Sequence, residues 1–179
     1  MDYDSGSHIY SDHGIRIPSV TQILNPPESK RWYTHGSAER GTEAHELCAK
    51  WAQNPKDWPK ENYVDSFAWW VMDNDPQWLK IESMVEGEID GYRFAGRLDG
   101  FAAIRGETTV IDWKTGKKAR YHHAQVAAYS LVEKPARALV LYLYRSGQYT
   151  EDWLSASQLA DGIQDFRRAI KEWYEENVQ

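Results

Sequence analysis

Residues 80–114 read KIESMVEGEI, DG, YRFAGRLDGFAAI, RG, ETTVIDWK: three runs of strand character divided by two dipeptide turns. Asp90-Gly91 is a strong signal for a two-residue hairpin, because such turns need positive φ at their central positions; Arg105-Gly106 is a weaker one. The stretch therefore predicts an antiparallel meander. Its register follows by arithmetic. If Ile104 pairs with Glu107, paired residue numbers sum to 211, and Asp99 falls opposite Asp112. Directly opposed side chains have Cβ atoms about 4.5–5.5 Å apart on one face of the sheet. Alternation along the strand puts Asp112 and Lys114 on a shared face and turns Trp113 away. Like charges directly opposite destabilise a sheet, so this pair needs Lys114 or a bound divalent cation. Magnesium is typically held by one or two carboxylates, waters and substrate phosphate. The competing reading of an Asp-x-Lys strand is a solvated sheet face.

Working outward, HIYSDHGIRIPSV (8–20) reads as a short hairpin turning at Asp12-His13-Gly14, and Ser19 is a plausible N-cap for a short helix, SVTQIL, that Pro26-Pro27 ends. Residues 28–53 carry a helical pattern with a break expected at Gly36, residues 55–59 form a loop, and 61–74 form another helix closed by Pro76. After the meander, RYHHAQVAAYSLVE (120–133) reads as a helix and RALVLYLYR (137–145) as a strand buried on both faces. QYTEDWL (148–154) pairs with it as a hairpin. In the last helix, Leu159, Ile163, Phe166, Ile170 and Trp173 follow helical spacing and should face the core. The order predicts an α/β or α+β class, with 1–179 as one domain: an N-terminal extension over 1–18 and a core over 19–179.

The chain's 179 residues suffice for one full-sized core, and its composition is 41% hydrophobic and 27% charged, an ordinary globular mixture. The polar, acidic start and the lack of a long apolar stretch predict a cytoplasmic protein without a signal peptide or membrane span. Cys48 is the single cysteine, which excludes a disulfide framework or an iron–sulfur cluster built within this chain. A net charge of −6 counts against bulk electrostatic attraction to nucleic acid, but not against local phosphate recognition through a metal. Lys30-Arg31 and the run from Lys114 to Arg120, with Lys117 and Lys118, are the local basic clusters. Nine tryptophans are many for one domain. Of these, Trp32, Trp51, Trp69, Trp70 and Trp78 are candidates for base stacking, although most tryptophans fill cores. Trp32 with Tyr33 is the favoured pair.

Three further motifs occur in order around the meander: Pro18-Ser19-Val20-Thr21-Gln22-Ile23-Leu24, Gly41-Thr42-Glu43-Ala44-His45, and Gln125-Val126-Ala127-Ala128-Tyr129. Together with Gly96-x-x-Asp99 and Ile111-Asp112-Trp113-Lys114-Thr115, they resemble the PD-(D/E)XK nuclease superfamily. The branch they resemble is that of the RecB/Cas4-like exonucleases, which includes mitochondrial genome-maintenance and phage exonucleases. The resemblance implies a restriction-endonuclease-like core, with a central mixed sheet flanked by helices. It implies that His45, Asp99 and Asp112, with the backbone carbonyl of Trp113, ligate one or two Mg²⁺ or Mn²⁺ ions. Lys114 would orient or deprotonate the attacking water, and Gln125 and Tyr129 would brace the site and the nucleic-acid strand. A histidine ligand favours good activity with Mn²⁺. Taken by themselves, His45 on its helix and the pair Gln125 and Tyr129 also read as ordinary satisfiers of polar groups.

This sequence departs from the cluster-bearing relatives in having no cysteine set for an iron–sulfur site, and it has no phosphate-binding GxxxxGK[ST] motif, so unwinding would need a partner. The expected function is a metal-dependent DNA exonuclease acting on single strands or ends in phage or bacterial recombination, repair or processing. A recombinase, a helicase or a single-strand binding protein is the expected partner. The alternatives are a structure-specific endonuclease or junction resolvase, and a catalytically silent nuclease fold that only binds.

Overall fold

The computed structural model describes residues 2–4, 9–24, 35–55, 58 and 62–177. Lys30-Arg31, Trp32 with Tyr33, and the Pro26-Pro27 break lie outside the described residues.

The elements run β1 (Asp2–Asp4), β2 (Ile9–Asp12), β3 (Ile15–Ile17), α1 (Val20–Leu24), α2 (His35–Gln53), α3 (Asn62–Asn74), β4 (Gln77–Ile89), β5 (Tyr92–Ile104), β6 (Glu107–Lys114), α4 (Arg120–Glu133), β7 (Arg137–Leu143), β8 (Tyr149–Trp153) and α5 (Ala156–Asn177). A five-stranded mixed sheet, ordered β4-β5-β6-β7-β8, forms the centre. Only β6 and β7 pair in parallel, through the crossover helix α4. A smaller antiparallel sheet, β1-β2-β3, contains the expected N-terminal hairpin, turned by His13 and Gly14 at φ of 48° and 79°. Helix α2 runs from His35 to Gln53 and so begins beside Gly36, where a break was expected; the stretch before His35 lies outside the described residues.

The start of α1 is closed by a capping box. Gln22 N–H donates to Ser19 Oγ at 3.1 Å, and Ser19 N–H donates to Gln22 Oε1 at 3.0 Å. Ser19 also bridges to Ala95, and Ala95 N–H donates to Pro18 O at 3.0 Å, which seats this helix start on β5.

Two apolar layers clothe the sheet. On one face α1, α4 and α5 pack through Val20, Ala124, Ala128, Phe166 and Ile170 against Phe94, Leu98 and Val110. On the other, α2 and α3 pack through Cys48, Phe67 and Trp70 against Ile104, Ile111 and Trp113. Strand β7 shows why its sequence is continuously apolar: Ala138, Val140 and Tyr142 serve the first layer, and Leu139, Leu141 and Leu143 the second. The spacing read in α5 holds, with Phe166 and Ile170 buried and Leu159, Ile163 and Trp173 packed around them. Among the described residues, no helix is long and apolar enough to cross a membrane.

Strands β4 and β5 depart from simple alternation at a register shift between Trp78 and Lys80 and again nearer the site. Leu98 and Ala102 are four residues apart, yet they enter opposite layers, and so do Val85 and Ile81. The register stays in step on either side, with Ser83 opposite Leu98 and Ile81 opposite Gly100. Both strands therefore exchange faces together between these pairs, where Glu82 takes a left-handed φ of 48° and Asp99 stands across from it. The candidate site is built at this discontinuity.

Candidate metal-binding active site

Turn geometry carries the first part of the site. Asp90 and Gly91, and Arg105 and Gly106, all have positive φ, as two-residue hairpins of the mirror-image type require. The pairing Gly100 with Ile111, through Ile104 with Glu107, keeps the sum at 211, as the sequence arithmetic expected. The ladder ends at Gly100, one step before Asp99 and Asp112. There the Trp113 N–H donates to Asp99 Oδ2 at 2.9 Å, so a side-chain carboxylate replaces the next rung.

Asp112 and Lys114 share a face as expected, with Lys114 Nζ 2.8 Å from Asp112 Oδ2. The Trp113 side chain enters the opposite layer, with Phe67 5.0 Å away and Trp78 6.2 Å away between ring centroids. Its ring also reaches the underside of the site, 6.1 Å from the His45 ring between centroids. Gly100 is required beneath these rings, since a Cβ there would meet Trp78 Cζ3 at 2.8 Å and Trp113 Cζ3 at 2.9 Å.

Helix α2 brings His45 from far along the chain, and His45 Nδ1 lies 3.3 Å from Asp99 Oδ1. Helix α4 supplies the other flank. Lys114 Nζ donates to Gln125 Oε1 at 3.1 Å, and Gln125 Nε2 reaches the Tyr129 hydroxyl at 3.5 Å. The Tyr129 ring lies directly over Gly96, where a Cβ would meet Cε1 at 2.8 Å, which accounts for the glycine three residues before Asp99. His45, Asp99, Asp112, Lys114, Gln125 and Tyr129 thus form one connected group.

Charge is imbalanced in this group. Asp112 is wholly buried, and burial pushes its carboxyl up to about 6; Asp99 adds to that, while Lys114 opposes it. Although Lys114 stands in ion-pair contact, neither Asp112 oxygen has an aligned hydrogen bond among the described residues, and Oδ1 has no partner there. Asp99 is also buried. Burial raises its pKa, but His45, Lys114 and the Trp113 N–H together outweigh that and hold it below the usual carboxylate range. Burial acts to lower the pKa of His45, and the Asp99 carboxylate more than offsets it, leaving the imidazole raised.

Glu82 is a site residue that the sequence reading missed. One ligand atom each from His45, Glu82 and Asp99 lie within 4.8 Å of one another. Burial and the Asp99 charge push Glu82 up to about 7, against the pull of Arg97. The signal was present in the first turn. The Asp90-Gly91 hairpin pairs residues summing to 181, and 82 is the complement of 99.

The basic run after β6 is exposed at Lys117 and Lys118, with Lys118 Nζ 5.1 Å from the Tyr142 ring centre, and Arg120 pairs with Asp165 at 2.9 Å. Of the tryptophans considered for base stacking, Trp70 is fully buried, while Trp51 and Trp78 pack in the aromatic layer against Phe67. Trp69 is exposed, edge-on to Trp58 at 4.8 Å. Cys48 is a buried member of the core, as expected.

No curated protein sequence matches the chain. Among solved structures it is similar to SSO0001, with 18% identity over 90% of this chain and 79% of that one at a TM-score of 0.49. It is also similar to an alkaline exonuclease, LHK-Exo, from Laribacter hongkongensis, with 10% identity over 89% and 92% of the two chains at a TM-score of 0.42. The complex of LHK-Exo with dAMP gives 13% identity over 88% and 89% at a TM-score of 0.41. The family model of the PD-(D/E)XK nuclease superfamily matches residues 20–179, from the start of α1 through α5, and the chain belongs to that superfamily.

Proposed function

We propose that the chain is a divalent-metal-dependent DNA exonuclease acting on single strands or free ends, in recombination, repair or DNA processing. The observation that carries this reading is the buried Asp112 carboxylate, whose Oδ1 has no partner among the described residues, beside Asp99, His45 and Lys114. A buried ionised group without a partner is expensive. Two carboxylates and an imidazole form a donor set that suits Mg²⁺ or Mn²⁺, so the residues fit the expected ion. His45, Asp99 and Asp112, with the Trp113 carbonyl, would hold it. When bound, the ion supplies an activated water and neutralises charge that builds on the scissile phosphate.

The chain's own residues perform the positioning. The Trp113 N–H fixes Asp99 Oδ2. Lys114 Nζ, held between Asp112 and Gln125, offers N–H donors that orient the attacking water. Tyr129, packed on Gly96, sets the depth of Gln125 and so of the lysine. The water oxygen bonds to phosphorus and gives up a proton to solvent as the phosphodiester P–O bond breaks, and the departing sugar oxygen takes up a proton from solvent.

The test is digestion of 5′- and 3′-labelled single-stranded, blunt, branched and closed circular DNA with Mg²⁺ or Mn²⁺. Shortening from an end, lost in Lys114→Ala, is expected. Cutting of closed circles would refute the exonuclease mode, and no metal-dependent cleavage of any substrate would refute catalysis.

A further inference from the structure

Glu82 occupies an unusual position. It stands where β4 and β5 exchange faces, with its backbone in the left-handed region. There its carboxylate joins His45 and Asp99 in a group whose ligand atoms lie within 4.8 Å of one another. Arg97, two residues before Asp99, holds it from the other side. Arg97 Nε lies 2.8 Å from Glu82 Oε2 and donates to the Glu82 carbonyl at 3.1 Å. The two partners differ in exposure: the Arg97 side chain is 50% accessible and that of Glu82 only 16%. The carboxylate is enclosed with the site, while its counter-cation stands half in solvent. Independently, Asp112, whose charge acts on Asp99 from the neighbouring strand, is buried and its Oδ1 lacks a partner among the described residues, so a second carboxylate beside this group has unmet demand for a cation.

We propose that Glu82 is an additional ligand of the divalent cation, and that Arg97 is the resident counter-ion it exchanges for that cation. In the metal-free protein, Arg97 neutralises Glu82. On loading, the Glu82 carboxylate turns its charge to the ion beside His45 and Asp99, and the guanidinium is released toward solvent. Arg97 and the divalent ion therefore compete for one carboxylate. This inference rests on the metal-dependent reading above and adds a residue and a competition to it.

Competition gives the two substitutions opposite signs, which a merely structural ion pair does not. Glu82→Gln keeps the shape and removes the ligand charge. Arg97→Gln removes the competitor and leaves Glu82 intact. Calorimetric titration of Mn²⁺ into wild type and both variants, with folding checked by circular dichroism, reads this directly. Glu82→Gln is expected to weaken Mn²⁺ binding by about tenfold or more, within the range typical of residues that support a metal site. Arg97→Gln is expected to tighten it a few-fold. Glu82→Gln binding within twofold of wild type, or Arg97→Gln binding more weakly than wild type, would overturn the proposal while leaving the metal-dependent nuclease reading in place. Wild type that takes up no Mn²⁺ would overturn both.

Discussion

Replacing Asp112 by asparagine should make the metal-free protein more stable while making it useless as a metal-dependent enzyme. Asp112 is wholly buried, and its carboxyl is pushed from 3.8 up to about 6 in the folded chain. A carboxyl with a raised folded pKa binds more protons folded than unfolded, so stability falls as pH rises between the two values. Above the folded pKa the loss is complete. A shift of roughly two units at ~1.36 kcal/mol per unit gives on the order of 3 kcal/mol of destabilisation at neutral pH. At pH 5 about half of that remains. The asparagine side chain would carry no charge, and Lys114 would keep its hydrogen bond to Gln125. The loss of the lysine's ion pair takes back part of the gain. For a domain of this size, each kcal/mol moves Tm by roughly 2–4 °C. Melts in EDTA should therefore place Asp112→Asn several degrees above wild type at pH 8, with the gap narrowing toward pH 5. Mn²⁺ should then raise the wild-type Tm and leave the variant where it is. An Asp112→Asn protein that melts at or below wild type at pH 8 in EDTA would show that the carboxylate is well solvated or fully paired, and would refute an unmet charge at this position.

Three other outcomes follow from the same geometry. Because Asp112 must be ionised to hold a cation and its carboxyl sits at about 6, and because His45 and Glu82 are also held toward their protonated forms, Mn²⁺ affinity should drop by about tenfold or more between neutral pH and pH 5, read by calorimetry; a flat profile would contradict it. Lys114→Ala should lower the cleavage rate by about 10²-fold or more while Mn²⁺ binding persists, because the lysine stands beside the ligands; loss of binding heat would place it among them. Gly96→Ala should lower stability by about 1–3 kcal/mol, the usual effect of overpacking, since the new Cβ meets the buried Tyr129 ring at 2.8 Å; an unchanged melting temperature would show that the ring can move aside.

The features legible along the chain are local ones. Two dipeptide turns set the register of β5 and β6, because the hairpin backbone leaves no slack between Ile104 and Glu107. The N-cap at Ser19, the helical spacing of α5 and the doubly apolar strand β7 were legible for the same reason: each depends on neighbours a few residues away. The motif that includes Asp99, Asp112 and Lys114 was therefore readable with its register up to Gly100 and Ile111, but not the bond from the Trp113 N–H to Asp99 that takes the place of the next rung. How distant parts meet came from the folded chain. His45 and Asp99 are 54 residues apart, and nothing in the helical pattern of α2 states which strand it crosses. Glu82 lay hidden for a subtler reason. The first turn already placed it opposite Asp99, but regular alternation gives no warning that both strands exchange faces at that level. The exchange needs a left-handed residue at Glu82, and it is sustained by aromatic packing over Gly100 and Gly96 from opposite sides of the sheet. Pairing can be counted along a chain, but which face a carboxylate serves is settled by what packs against each side.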